Sequence, residues 1–440
     1  MKIHLIGIGG IGVSALAQYY LAKGHTVSGS DLVASEITDL AEQKGVNVII
    51  GNFAENISAG TDLVVYSPAV KLENLELKFY KDKGIRCLSY PEALGELTKE
   101  HYTIAVSGSH GKSTTTAMLA LALIEAGLDP TVIVGTKLKE LGNSNFRMGK
   151  SKFLVIEACE YDSSFLNYNP KIIVVTNIDK EHLDYFKTFA NVKKAFKSFI
   201  VRLPKDGYLV FNKDDQKISN FQFPISNKFS IKQFSIKNKE SAKIKKILKV
   251  PGKHNVSNAL AVLNVARILE IPDNITLKAL SEFKGTWRRF EIKEGNINNK
   301  KITVISDYAH HPNEIKATLS AAREKYPVKK IWLIFQPHQH QRTYYLFNDF
   351  VMVFSRAAGS RQAGRIDKII ITDIYDVAGR EVGKINKQVS SEKLVKKINK
   401  KNVLYLPTQE LENFLGKNMG AGDVLIVMGA GDIYKLCDKF

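Results

Sequence analysis

Short, continuous apolar runs recur along this 440-residue chain, and several of them end in a glycine-rich or charged loop. The first, Lys2–Ile6, leads into Gly7-Ile8-Gly9-Gly10-Ile11-Gly12 and a helix predicted through Leu21. Further strands are expected at 26–28 and Leu63–Tyr66. A second series opens at 102–106 and enters Ser107-Gly108-Ser109-His110-Gly111-Lys112-Ser113, with a helix to about Ala126 closed by Gly127. Runs at 153–156 and 172–176 are apolar without alternation, the pattern of central parallel strands buried on both faces. A third series begins near 302–305 and continues at Ile331–Phe335, 368–372 and Val424–Met428. Its last strand enters Gly429-Ala430-Gly431-Asp432, read as a second glycine-rich strand-to-helix turn. Strands alternating with helices predict α/β domains on mostly parallel sheets. A chain of this length suits two or three such domains. Three are expected, over 1–100, 101–290 and 291–440, with the last boundary at 285–295.

The formal net charge is +19, which raises the possibility of a nucleic-acid partner. Residues 1–100 carry nine Lys/Arg against twelve Asp/Glu, so the excess lies in the other 340 residues. The densest basic stretches, 243–253 and 384–401, mix lysine with Ile, Leu and Val at amphipathic spacing. They read as solvated faces of ordinary elements, whose field also favours polyanionic small substrates. Cys87, Cys159 and Cys437 lack paired spacing, as expected of free thiols in a reducing compartment. Residues 1–12 lack signal-peptide character, and no apolar run approaches the ~20 residues of a membrane span. A soluble, cytoplasmic protein is expected.

Gly7, Gly9 and Gly12 form G-x-G-x-x-G, with Asp31 nineteen residues beyond the last glycine. Such glycines let backbone approach a pyrophosphate at a helix N-terminus, and the acid can reach ribose hydroxyls. The pattern does not distinguish a dinucleotide from a nucleoside-diphosphate sugar. Gly108-x-x-Gly111-Lys112-Ser113-Thr114 is a shortened P-loop, with Val106 where the strict form has glycine. It retains backbone N–H groups and a lysine for phosphates and a hydroxyl for Mg²⁺. ATP is the expected ligand. Glu157 and His182 follow two strand ends that should face this loop, where a carboxylate and an imidazole can hold a second Mg²⁺.

Together these segments resemble the Mur ligase family along nearly the whole chain. The signatures are GIGGIGVS at 7–14, GSHGKSTTT at 108–116, EACEYDSSFL at 157–166 and TNIDKEHLD at 176–184. They continue as PGKHNVSN at 251–258, RRF at 288–290, DYAHHP at 307–312 and FQPHQHQRT at 335–343. The resemblance implies a Rossmann-like N-terminal domain binding a UDP-sugar, a central P-loop ATPase-like domain, and a C-terminal Rossmann-like domain receiving an amino acid. It places Gly9, Gly10, Ile11, Ser14, Asp31 and Ser67 at the UDP-sugar. Gly108, Ser109, His110, Gly111, Lys112, Ser113 and Thr114 fall at the ATP phosphates. Asn255, Asn258, Arg289 and Asp307 are implied to contact the nucleotide. Ser113, Glu157 and His182 are the implied Mg²⁺ ligands, and His310, His338 and Arg342 the implied amino-acid site. Lys112, His182, Glu157, Arg342 and His310 are the implied catalytic set.

Within the family the nearest likeness is to the branch that adds L-alanine to UDP-N-acetylmuramate through an acyl phosphate, with no nucleic-acid or membrane partner and a monomer or homodimer expected. The chain departs from family usage at Cys159-Glu160-Tyr161, at Ala309 where glycine is usual, and at Gln339 where many relatives have arginine. A related ligase that attaches a preformed peptide in wall recycling is one alternative. An NAD-dependent oxidoreductase would use the first loop but leave the P-loop idle. A nucleic-acid-binding ATPase would account for the charge, but no recognition module is found.

Overall fold

The computed structural model describes residues 1–51, 60–221, 229–359, 365–376, 385 and 388–440. The chain is a three-domain α/β protein built on three separate sheets. Its internal contacts divide it into two compact units. One comprises Met1–Glu181, Phe189–Ile244 and Ser257–Glu282; the other comprises His182–Thr188, Lys245–Val256 and Phe283–Phe440.

The first unit contains two sheets. β1 (Lys2–Ile6), β2 (Thr26–Asp31), β3 (Asn47–Ile50), β4 (Leu63–Tyr66) and β5 (Arg86–Ser89) are all parallel, in the order β3-β2-β1-β4-β5. The order reverses at β1, which is where an open α/β sheet leaves a crevice beyond its carboxyl ends. The glycine loop after β1 lies at that point.

The second sheet comprises β6 (Tyr102–Ser107), β7 (Thr131–Leu138), β8 (Ser144–Arg147), β9 (Phe153–Glu157), β10 (Ile172–Val175), β11 (Tyr208–Asn212) and β12 (Ser230–Phe234). Its order is β12-β11-β10-β6-β9-β7-β8, with only β8 antiparallel. β9 and β10 flank β6 on either side, as their unbroken apolar runs predict. The helix Lys112–Glu125 packs on β7, β9 and the helix Asp273–Glu282. It begins at Gly111 (φ +83°) and stops before Gly127 (φ +73°), both left-handed positions that suit glycine.

In the second unit, β13 (Glu291–Ile297), β14 (Lys300–Asp307), β15 (Ile331–Phe335), β16 (Lys368–Ile371), β17 (Val403–Tyr405) and β18 (Val424–Met428) order as β13-β14-β18-β15-β16-β17. Ile331, Leu333 and Phe335 join one core and Trp332 and Ile334 the other, so both faces of β15 are covered. Period-two alternation of side chains thus yields a continuous apolar run.

Three features differ from the sequence expectation. β13 is an additional antiparallel edge strand with a mostly polar sequence. Gly429-Ala430-Gly431-Asp432 leads into a 3₁₀ helix, Ile433–Lys439, not an α-helix. Residues 182–188 and 245–256 belong to the second unit, within the span expected for the central domain. There, the short helix Leu183–Phe186 packs on the helix His340–Tyr345, and Lys245 pairs with Glu324. The basic stretches are solvated faces: Ile244, Leu394 and Ile398 are buried while neighbouring lysines are exposed. Positions 384, 386 and 387 of the second stretch lie outside the described residues. Among the described residues no helix is long and apolar enough to cross a membrane.

Candidate active site

In the first unit, the loop after β1 is braced from β2. Asp31 Oδ2 accepts the Gly9 N–H at 2.8 Å, and a Cβ on Gly9 would overlap that oxygen. Asp31, expected at a ribose, thus also fixes the loop. Gly7 (φ +80°) packs against Ser67, which brings the 67–69 segment beside the glycine turn. Ile11 and Ser14 meet a partner missed in the sequence. Asn145 of β8, fully buried, donates to the Ile11 carbonyl and to Ser14 Oγ (3.0 Å) and accepts from Gln18 (2.9 Å). Within GNSNF at 142–146, Asn145 has the composition of a turn, and nothing local signals its burial.

The P-loop follows β6. Gly108 (φ +132°) lies so close to Thr176 and Asn177 that no side chain fits there. A Cβ on Gly111 would come within 2.7 Å of Asn258 Oδ1, so Asn258 sits at the loop. The Ser109 N–H donates to the Asn177 carbonyl and the His110 N–H to Asn177 Oδ1, both at 2.9 Å. These two amides are thus committed to the protein, a correction to the expectation that the whole loop faces phosphate. The first N–H groups of the helix at 112 remain, because a helix start has no internal acceptors for them.

Lys112 Nζ donates to the carbonyls of Gly108 (2.6 Å) and Ser109 (3.2 Å) and pairs with Glu160 Oε2 at 2.9 Å. Burial pulls its ammonium pKa down, but Glu160, with Cys159 and Glu157, more than offsets this and holds it above the usual lysine value. Glu160 is the functional residue that sequence reading missed. A carboxylate with no exposure is tolerated when paired, and its partner lies 48 positions away. Cys159 beside it is pushed up to about 12, first by burial and then by Glu160.

Glu157 ends β9 and accepts the Gly135 N–H at 3.0 Å. His110 Nε2 lies 3.1 Å from Asp179 Oδ2, and Lys217 reaches the other Asp179 oxygen at 3.3 Å. The structure therefore gathers the segments after β6, β9 and β10 around one lysine-bearing loop. The buried Ser107 hydroxyl beneath it has no partner among the described residues. Ser113 is also buried at the helix start. A glycine cradle, an ammonium and a hydroxyl fit a nucleotide polyphosphate. Ser113 and Glu157 supply the hard oxygen donors that Mg²⁺ prefers.

In the second unit, His182 (φ +55°) precedes Leu183–Phe186, and Asn255 Nδ2 donates to the Pro251 carbonyl at 2.7 Å. Asp307, at the end of β14, accepts from the Phe290 and Ala309 N–H groups, both at 2.8 Å. Burial raises its pKa to about 6, against those hydrogen bonds. Arg289 lies over the Tyr308 ring and 3.9 Å from Glu314, whose other oxygen accepts the His310 N–H. The His310 and His338 ring centroids are 5.9 Å apart, and Arg342 Nη1 is 3.0 Å from His338 Nδ1. This brings His310, His338 and Arg342 together beyond the ends of β14 and β15. His338 stacks on Tyr375 (12° between planes), another residue not anticipated. Gln339 adopts φ +69° and accepts from Arg342 at 3.4 Å.

Comparison with known proteins covers the chain almost end to end. Family profiles match as "Mur ligase family, catalytic domain" over 2–102, "Mur ligase middle domain" over 106–266 and "Mur ligase, glutamate ligase domain" over 288–431. A UDP-N-acetylmuramate–L-alanine ligase of Acetivibrio thermocellus is 42% identical, covering 100% of this chain and 95% of the relative. Its Clostridium kluyveri counterpart is 41% identical, covering 100% and 97%. Among solved structures, the UDP-N-acetylmuramate-alanine ligase of Thermotoga maritima superposes with a TM-score of 0.80 at 27% identity, covering 100% of this chain and 98% of that one.

Proposed function

The chain belongs to the Mur ligase family, and from that premise we propose that it is an ATP-dependent ligase joining L-alanine to the lactyl carboxylate of UDP-N-acetylmuramate. The observation that carries this reading is the coincidence of full-length relatives named for that activity with a lysine-bearing phosphate loop. The proposed substrates are ATP, UDP-N-acetylmuramate and L-alanine. The protein works in the cytoplasm, as a monomer or homodimer, in building peptidoglycan precursor for wall growth, cell shape and division.

The chemistry follows from charge. A carboxylate must approach the γ-phosphate of ATP, and both are anionic, so repulsion dominates the barrier. The carboxylate oxygen bonds to the γ-phosphorus as the bond to the ADP oxygen breaks, leaving an acyl phosphate. The alanine amine then attacks the acyl carbon, phosphate departs with its oxygen, and the amine gives up a proton. Lys112 lies at the mouth of a helix whose free N–H groups also favour anions. Positioning and fixed positive charge supply most of the acceleration in such transfers. Ser113, Glu157 and His182 are the proposed Mg²⁺ ligands, and bound Mg²⁺ would neutralise phosphate charge. Gly9, Gly10, Ile11, Ser14, Asp31 and Ser67 bind the UDP-sugar; Asn255, Asn258, Arg289 and Asp307 serve the adenine nucleotide. His310, His338 and Arg342 receive alanine, with Arg342 the partner for its carboxylate.

The test is phosphate release from ATP with Mg²⁺ and UDP-N-acetylmuramate across single amino acids and a tripeptide. Release that depends on both UDP-N-acetylmuramate and L-alanine is expected. Release with the tripeptide but not alanine would transfer the protein to the peptide-attaching branch, and release with neither would remove the reading.

A further inference from the structure

Arg288 is used by nothing described so far, yet it is among the most enclosed cations in the chain, with 5% exposure. Among the described residues no carboxylate pairs with its guanidinium. Instead, Nη2 donates to the carbonyls of Gly429 (2.6 Å) and Gly431 (2.9 Å). The guanidinium carbon sits 4.1 Å from the ring centroid of Tyr434, 4.8 Å from Tyr308 and 5.5 Å from Trp287. Burial in this box holds its pKa below the ordinary arginine value.

Its own backbone is fixed as firmly. Arg288 and Phe290 both take left-handed φ (+56° and +53°), costly for side chains of this size unless the surroundings impose it. The Arg288 carbonyl accepts the Tyr308 N–H at 2.7 Å, and its N–H donates to Glu291 at 3.1 Å. A strained, buried cation aimed at two glycine carbonyls indicates that the position of the 429–431 turn matters.

That turn is tightly packed. Gly431 lies against Gln336 and the Tyr375 ring, where an added Cβ would come within 2.5 Å of Tyr375 Cγ. Gln336 in turn accepts the Ile433 N–H at 3.2 Å and donates to Asp432 at 3.1 Å. Tyr375 carries the stacked His338 ring, and its backbone pairs with Pro337 and Gln339. A continuous line of contacts therefore runs from Arg288 through Gly431 and Tyr375 to His338 and Arg342.

We propose that Arg288 is a positioning residue for the amino-acid site: by gripping the Gly429 and Gly431 carbonyls it fixes the Tyr375 ring and so the orientation of His338 and Arg342. This rests on the reading that those residues receive alanine. Lysine does not substitute, because a single ammonium lacks the planar fork that both stacks on rings and spans two carbonyls.

The test compares wild type, Arg288→Lys and Gly431→Ala in two assays. One measures kcat/KM for L-alanine, UDP-N-acetylmuramate and ATP. The other measures ATP-dependent formation of the acyl phosphate without amino acid, trapped by hydroxylamine. Both variants are expected to lose between about 10-fold and 100-fold in kcat/KM for alanine, the scale of small misplacements of a bound reactant. Trapping and the KM values for the other substrates should stay within about 3-fold of wild type, the ordinary context-dependent spread. If Arg288→Lys fails to fold, Gly431→Ala decides alone. Equal losses for all three substrates, or an unchanged alanine kcat/KM, overturn the proposal. Absence of alanine-dependent turnover in wild type would instead overturn the functional reading.

Discussion

Replacing Glu160 with glutamine removes one charge from a pair whose carboxylate is completely enclosed and whose ammonium is nearly so. Breaking a buried pair by removing one partner costs ~3–5 kcal/mol when the other charge is left bare. Lys112 is not left bare, since the Gly108 and Ser109 carbonyls stay at 2.6 and 3.2 Å. The expected loss is closer to one hydrogen bond to a charged group, about 1.5–3 kcal/mol. Urea unfolding of both proteins, with equal slopes, reads this as a midpoint shift. The sign with pH follows from the pair. Lys112 is held above its ordinary pKa in the folded protein, so its stabilisation is complete at neutral pH and fades only as pH rises through that elevated value. In Glu160→Gln, burial acts without its main counterweight, so the ammonium deprotonates at lower pH and the alkaline limb of turnover moves toward neutrality. A stability change below about 0.5 kcal/mol, typical of an unremarkable surface site, together with an unmoved alkaline limb, would refute the pairing.

Lys112→Ala should abolish ADP-forming turnover while the protein stays folded by circular dichroism; near-normal phosphate release would remove Lys112 from the chemistry. His254, in the second unit, has its pKa lowered to about 4, chiefly by burial. Its neutral form is the folded one, so wild type should lose up to about 3 kcal/mol as pH falls from 6.5 toward 4. His254→Gln should escape that loss, and parallel stability–pH curves for the two proteins would contradict it. Phe354 is completely buried in the core on one face of the third sheet. Phe354→Ala should therefore cost about 3–5 kcal/mol, and a loss under about 1 kcal/mol, the ordinary single-mutation average, would show that core to be misassigned.

Strands β1, β4, β15 and β18 could be read at their observed ends, because four or five apolar residues closed by glycine or polar residues have few alternative conformations. β13 escaped because Glu291–Ile297 alternates weakly at a sheet edge, and an edge strand shows little apolar pattern. The 3₁₀ helix after Asp432 escaped because glycine marks a turn without fixing the turn's continuation. At the candidate site, loop residues with a local signature were legible: Gly108, Gly111 and Lys112 announce themselves by spacing. Glu160, Asn145, Tyr375 and Arg288 were not. Each is polar or aromatic, and each owes its role to a partner far away in sequence or to a packed neighbour. Burial of such groups is a property of the assembled fold, and only distance reveals it.

The most direct measurement of carboxylate activation uses UDP-N-acetylmuramate carrying heavy oxygen in its lactyl carboxylate, turned over with ATP, Mg²⁺ and L-alanine. Heavy oxygen should appear in the released phosphate, because the acyl phosphate breaks between the acyl carbon and the bridging oxygen. Released phosphate free of the label would contradict transfer of the phosphoryl group to that acid.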